Sequence, residues 1–240
     1  MSGVRRVART STEGAIRTGI EGFEEILAGG LPQGRVTVVL GGPGSGKTIF
    51  ALQTLVAGAR DEGEPGILVA FEESAGQIRE NLRGFTWGRS VGRTGGKVEI
   101  LDAQLGESVV QGGDFDLLGL LAVVGARARA VKARRIVFDG VDVLLSQLSD
   151  PSLARREVFR LRDWLNASGF TGILTAKAVG DGDRPSQEYE FLQFLGDCIV
   201  TLRHTMTDGT ALRTIRVVKR RGCAHSANSC LLYTSPSPRD

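Results

Sequence analysis

Apolar residues along this chain fall into short dense runs, separated by stretches whose apolar positions recur at helical spacing. "VTVVL" (36–40), "ILVAF" (67–71), "KVEIL" (97–101), "RIVFD" (135–139) and "TGILTA" (171–176) have strand length and β-branched content. Most are too continuously apolar to leave a face in water, as expected of a sheet covered on both sides. Between them, "IFALQTLVAGAR" (49–60) puts Ile49, Leu52 and Val56 on one helical face, with Phe50 and Leu55 beside them. Ser74 and Gln77 match the S-x-x-Q capping box, which predicts a helix from Ser74 to about Arg83. "FDLLGLLAVVGARARAVKA" (115–133) predicts a long amphipathic helix, and Asp150 followed by Pro151 caps and starts another through Gly169. A polar loop (181–191) enters a short helix, and "CIVTLRHT" and "ALRTIRVVKRR" form an antiparallel hairpin through "MTDGT".

Strands alternating with helices predict an α/β fold: a mainly parallel sheet flanked by helices, ending in an antiparallel pair. Residues 18–229 are expected to form one domain behind a flexible basic N-terminus (1–17). The last eleven residues, "CLLYTSPSPRD" (230–240), have neither helical nor strand period and look like one reading frame of a sequencing adapter. On that reading they are an assembly scar, and the natural protein continues past about residue 229.

Composition narrows the classes. With 240 residues, 41% of them hydrophobic, the chain has ample material for a core. Thirty cations against 27 acids leave a net charge of +3, too balanced to argue for nucleic acid. Cys198, Cys223 and Cys230 sit at no useful spacing, and only His204 and His225 accompany them. That excludes a disulfide framework or a His/Cys metal cluster and fits a reducing cytoplasm. No secretory signal and no apolar run of membrane-spanning length are visible, so no membrane association is expected.

The chemistry begins where the first strand ends. Gly41-Gly42-Pro43-Gly44-Ser45-Gly46-Lys47-Thr48 fits G-x-x-x-x-G-K-[ST], with a strand before it and a helix after it. In such a loop glycines turn backbone N–H groups toward phosphates, Lys47 reaches the β/γ oxygens and the Thr48 hydroxyl takes Mg²⁺. Asp139, at the end of "RIVFD", is the candidate second metal group. "ILVAF" ends in two adjacent acids, Glu72 and Glu73. In a parallel sheet that end faces the ligand edge, so Glu72 is the first candidate base for an attacking water, with Glu73 orienting it or reaching a neighbouring subunit.

Together, "RTGIEGFEEILAGGLPQGRVTVVLGGPGSGKT", "VAFEES", "RRIVFDGV" and "VKRRGCAH" resemble the ATPase domain of the KaiC family, within the RecA-like superfamily, from Arg17 to His225. The resemblance implies a RecA-like fold and a ring, usually a hexamer, with ATP between subunits. It implies that Gly42 and Gly44 to Ile49 (Gly44, Ser45, Gly46, Lys47, Thr48, Ile49) hold the phosphates, and that Glu72 and Glu73 are the paired catalytic glutamates. It further implies that "KRRGCAH", with Lys219, Arg220, Arg221, Cys223 and His225, reaches the nucleotide of the adjacent subunit. The family's autokinase domains carry adjacent Ser and Thr before the strand that here reads "CIVTL"; Gln193 and Phe194 stand there instead, which implies hydrolysis without self-phosphorylation. Gly84 replaces a frequent Ser, Lys177 stands where an acid is expected, and Cys223-Ala224 replaces more polar residues. Clock or signalling partners follow from the resemblance. Two other readings remain open: a RecA/RadA-type DNA-dependent ATPase, for which "GARARAVKARR" (125–135) is the best basic run, and a nucleotide-gated interaction module.

Overall fold

The computed structural model describes residues 14–92, 96–104, 117–148, 150–177, 190–207, 210–223, 225–226 and 228–232. The basic N-terminus through residue 13, the polar loop at 181–189, Ala224 and the tail beyond 232 lie outside them. A small antiparallel pair comes first, β1 (Ala15–Ile16) with β2 (Leu31–Pro32), around the short helix α1 (Phe23–Ile26). The five apolar runs then become β3 (Val36–Gly41), β4 (Gly66–Ala70), β5 (Val98–Asp102), β6 (Arg135–Asp139) and β7 (Thr171–Lys177). The hairpin strands are β8 (Cys198–Thr207) and β9 (Thr210–Arg220), and β10 (Cys230–Leu231) follows.

The main sheet has the order β10-β9-β8-β3-β7-β6-β4-β5, parallel from β8 through β5 and antiparallel at β9 and β10. The predicted α/β class, with its closing antiparallel pair, is what the chain forms. The strands alternate between two cores, one on each face. Val39, Leu68 and Val137 pack with Phe23, Leu52, Leu55 and Ile78, while Val38, Ile67, Ile136 and Phe138 pack with Leu121, Val124, Leu144 and Leu161. Period-two alternation with both faces covered explains why these strands read as continuous apolar runs.

Helices supply the covers: α2 (Lys47–Ala57), α3 (Ala75–Asn81), α4 (Leu117–Val131), α5 (Val141–Ser146), α6 (Pro151–Ser168) and α7 (Leu192–Leu195). The Ser74 side chain accepts from the Gln77 N–H and Gln77 accepts from the Ser74 N–H, so the capping box is present, and Asp150 caps α6 by accepting from Ser152 N–H. Among the described residues no helix is long and apolar enough to cross a membrane.

Three local differences have physical causes. The helix expected over 49–60 starts two residues earlier, because Gly46 adopts a left-handed conformation (φ 95°) that turns the chain straight into it. It then passes at Gly58 into a π-turn (Gly58–Glu62), where the Arg135 guanidinium lies so close that an added Cβ on Gly58 would sit 2.4 Å from it. Finally, Cys230 and Leu231, in a stretch without strand period, pair with Ile215 and Thr214. Backbone groups on the outer edge of β9 accept such a strand whatever its side-chain pattern.

Candidate nucleotide-binding site

Register builds the site. Gly41 pairs with Lys177, Ala70 with Asp139, and Ala70 with Asp102 on its other side, so the carboxyl ends of β3, β7, β6 and β4 are level. The phosphate loop follows Gly41, the two glutamates follow Phe71, and Asp139 and Lys177 close their strands, all on one edge. A cleft of about 860 Å³ opens there, bounded by Gly44 to Ile49, Glu72, Glu73, Asp139, Thr175 and Lys177.

Within the loop, Ser45 N–H donates to Gly42 O at 3.3 Å and Phe50 N–H to Gly46 O at 2.8 Å. Gly41 must lack a side chain: a Cβ there would lie 2.4 Å from Ser45 Oγ and 2.6 Å from Leu202 O. Lys47 Nζ donates to the carbonyls of Gly41 (3.0 Å) and Gly42 (3.1 Å), curling over its own loop. Burial pushes the Lys47 ammonium below its ordinary range, while Asp142, Glu72 and Asp139 pull the other way.

Thr48 Oγ1 donates to Asp139 Oδ2 at 2.9 Å, and Thr175 Oγ1 donates to Asp139 Oδ1 at 2.6 Å. Thr175 Oγ1 also accepts from Gly140 N–H at 2.9 Å. Burial raises the Asp139 carboxyl above the usual carboxylate range, against the pull of these two hydroxyls and of Lys47. A buried acid beside a hydroxyl is an all-oxygen donor pair that suits a hard divalent cation sharing its shell with phosphate oxygens. Ser45 Oγ, buried in the same cradle, makes no hydrogen bond within the protein. These residues fit Mg²⁺ with a polyphosphate. Among the described residues there is no group of three or more His, Cys, Asp or Glu that could hold a metal ion.

The paired glutamates separate. Glu72 Oε1 lies 2.8 Å from Lys177 Nζ, whereas Glu73 Oε2 accepts from Asn81 Nδ2 at 2.8 Å. The candidate trans residues do not meet this cleft within the chain. Lys219 and Arg220 pair with Ile199 and Cys198, at the opposite, amino edge of the sheet. There Lys219 Nζ donates to Gly196 O (2.8 Å), Arg220 donates to Leu27 O, and Arg221 lies 3.5 Å from Asp197; Cys223 and His225 are half-buried.

Sequence reading missed Thr175, Asp142, Arg213 and the aromatic pair Phe85–Trp87, whose rings lie 5.1 Å apart at the cleft wall. Thr175 sits in an apolar run where threonine reads as an ordinary strand residue. Arg213 lines the cleft only because β9 folds back beside β8. No local pattern marks either.

Comparison with known proteins agrees with this geometry. The family model "ATPase: KaiC" matches residues 16–234. Over 212 residues the chain is 40% identical to "Circadian clock protein KaiC2" of Synechocystis sp., covering 88% of this chain and 37% of that protein. It is 39% identical over 212 residues to "Circadian clock protein KaiC3" of Synechocystis sp., covering 88% and 42% respectively. It is 40% identical over 213 residues to "Circadian clock oscillator protein KaiC" of Thermostichus vulcanus, covering 88% and 40%. The chain thus spans about two fifths of the length of these curated relatives. With the strand–loop–helix of the phosphate site, the paired glutamates and the closing hairpin all in place, the chain belongs to the KaiC family of ATPases.

Proposed function

We propose that this chain binds ATP with Mg²⁺ and hydrolyses it slowly, within a ring of like chains, usually six, that serves a circadian clock or a related signalling system. The observation that carries this reading is the level edge on which Lys47, the Thr48–Asp139 pair and Glu72 surround one cleft. The loop N–H groups of Gly42, Gly44, Ser45, Gly46 and Ile49 hold phosphate oxygens, and Lys47 leaves its own carbonyls for the β/γ oxygens. Thr48 and Asp139 hold Mg²⁺, which when bound neutralises charge on the β- and γ-phosphates. Glu72 takes the proton of the attacking water. The water oxygen bonds to the γ-phosphorus, the bond to the bridging oxygen breaks, and its electron pair leaves with ADP. Glu73, which accepts from Asn81, orients Glu72 or reaches the neighbouring chain of the ring.

Lys219, Arg220, Arg221, Cys223 and His225, gathered at the far edge of the sheet, act on the nucleotide of the next chain in the ring, where cations stabilise the transferring phosphoryl group. Gln193 and Phe194 offer no hydroxyl, so the domain does not phosphorylate itself there.

The test is ATP turnover against protein concentration, with Mg²⁺, beside Glu72→Gln. Turnover per chain is expected to rise with concentration and to fall at least about 100-fold in the variant. Nucleotide binding without turnover at any concentration would leave a nucleotide-gated interaction module, and stimulation by DNA would favour a RecA/RadA-type motor. Stoichiometric phosphate found by mass spectrometry in the 186–201 stretch would overturn the non-kinase reading.

A further inference from the structure

Lys177 brings a positive charge to the cleft beside Glu72. It is the last residue of β7, in register with Gly41 at the start of the phosphate loop. Its backbone N–H donates to Asp142 Oδ1 at 3.0 Å, and Asp142 is a buried carboxylate in the first turn of α5. That bond fixes where the lysine leaves the sheet. From there its Nζ lies 2.8 Å from Glu72 Oε1. The other oxygen, Oε2, passes near Gly140 (φ +82°), where an added Cβ would stand 3.8 Å from it. The Glu72 carboxylate is therefore held along the sheet edge, one oxygen on an ammonium and the other over a glycine. The contact with Glu72 in turn raises the Lys177 ammonium above its ordinary range, so the cation persists at any working pH.

We propose that Lys177 is a latch on Glu72: it is a positioning residue that holds Oε1, and turnover is slowed because proton transfer to Glu72 gives up the ion pair. The proposal rests on the reading of Glu72 as the base. Accepting a water proton neutralises the carboxylate that Lys177 pairs with, so each proton transfer gives up the ion pair. Lys177 and Glu72 are 33% and 45% exposed at their side chains, and pairs so exposed open at modest cost. The latch accordingly slows the reaction by a modest factor. Lys47 remains the phosphate cation, since it grows from the loop that cradles the phosphates, whereas Lys177 is tethered through Asp142 on the glutamate's side of the cleft.

The experiment measures kcat, and ATP affinity by titration with a fluorescent nucleotide analogue, for the full chain, Lys177→Met, Lys177→Arg and Glu72→Gln. Thermal melts identify any variant that is unfolded. Lys177→Met keeps the length of the stem without its charge and is expected to raise kcat about three- to tenfold, with affinity unchanged within about twofold. Lys177→Arg restores a donor to Glu72 and is expected to return kcat toward the parent value. If Lys177→Met folds but turns over no faster, the latch is wrong; if its affinity drops together with kcat, Lys177 is a phosphate ligand instead. Full turnover in Glu72→Gln would remove the base and the latch together, whereas a dead Glu72→Gln beside an unaccelerated Lys177→Met would remove the latch alone.

Discussion

Asp139 shows at the scale of one residue how a site can work against the stability of its own fold. Its side chain is 5% exposed and lies among apolar strands, and burial raises its carboxyl above the ordinary carboxylate range. An acid whose folded value is raised binds its proton more readily folded than unfolded. Stability therefore falls as pH rises from the unfolded value to the folded one, and the whole penalty is in force above the folded value. Asp139→Asn removes that charge while leaving an oxygen for one of the two threonine hydroxyls. Without metal or nucleotide, it is expected to melt about 2–4 °C higher than the parent at neutral pH. The gain should shrink on acidification, as the parent carboxyl becomes neutral too, and Mg²⁺-dependent turnover should be lost. Equal melting temperatures at neutral pH would mean that the hydroxyls of Thr48 and Thr175 already compensate the charge. The acid itself was legible in the sequence, because a charge closing an apolar run has no packing reason to be there. Its holder Thr175 was not, since the pairing joins residues 36 positions apart and depends on which strands become neighbours.

At the scale of elements, the legible pieces were those with their own local cause: the five apolar runs, the capping box at Ser74 and Gln77, and the Asp150–Pro151 helix start. What escaped was short or set from outside. β1, β2, α1 and α5 have between two and six residues, too few for a period to declare itself. The π-turn after α2 has its cause 77 positions away in sequence from Gly58, in Arg135. That side chain is 1% exposed; its Nε donates to Glu64 at 2.8 Å, one terminal nitrogen to Glu62, and the other to Arg17 O (2.8 Å) and Thr54 O (2.9 Å). One guanidinium thus ties the first strand segment, the end of α2, the turn before β4 and the start of β6. Arg135→Met keeps much of the volume but strips the partner from two carboxylates and two carbonyls. The expected loss is about 3 kcal/mol in urea unfolding, because breaking a buried pair costs more than the intact pair contributes. A loss under about 1 kcal/mol would show that Glu62 and Glu64 simply turn to water.

Across the whole molecule, Cys198 reports on how the middle of the sheet opens. The residue opens β8 beside Thr37 of β3, is fully buried, and its thiol is pushed up to about 12 by burial. A buried protonated thiol does not react, since the thiolate is the nucleophile. Cys223, just past the end of β9, and Cys230, in β10 on the outer edge of the hairpin, are half-buried. In the native protein a chromogenic disulfide reagent is therefore expected to label Cys223 and Cys230 readily and to leave Cys198 until the chain unfolds. Reaching Cys198 requires β8 to part from both β3 and β9, which dismantles the middle of the sheet. Its labelling rate in low urea should then rise with the same steep slope as global unfolding, because the area exposed is the same. On the proposed function, ATP with Mg²⁺ binds the folded chain alone and is expected to slow that labelling by the factor 1 + [L]/Kd. A shallow urea dependence would mean that the β8–β9 hairpin opens alone, and ATP without effect on a steep one would mean that the cleft at the other strand ends does not bind it.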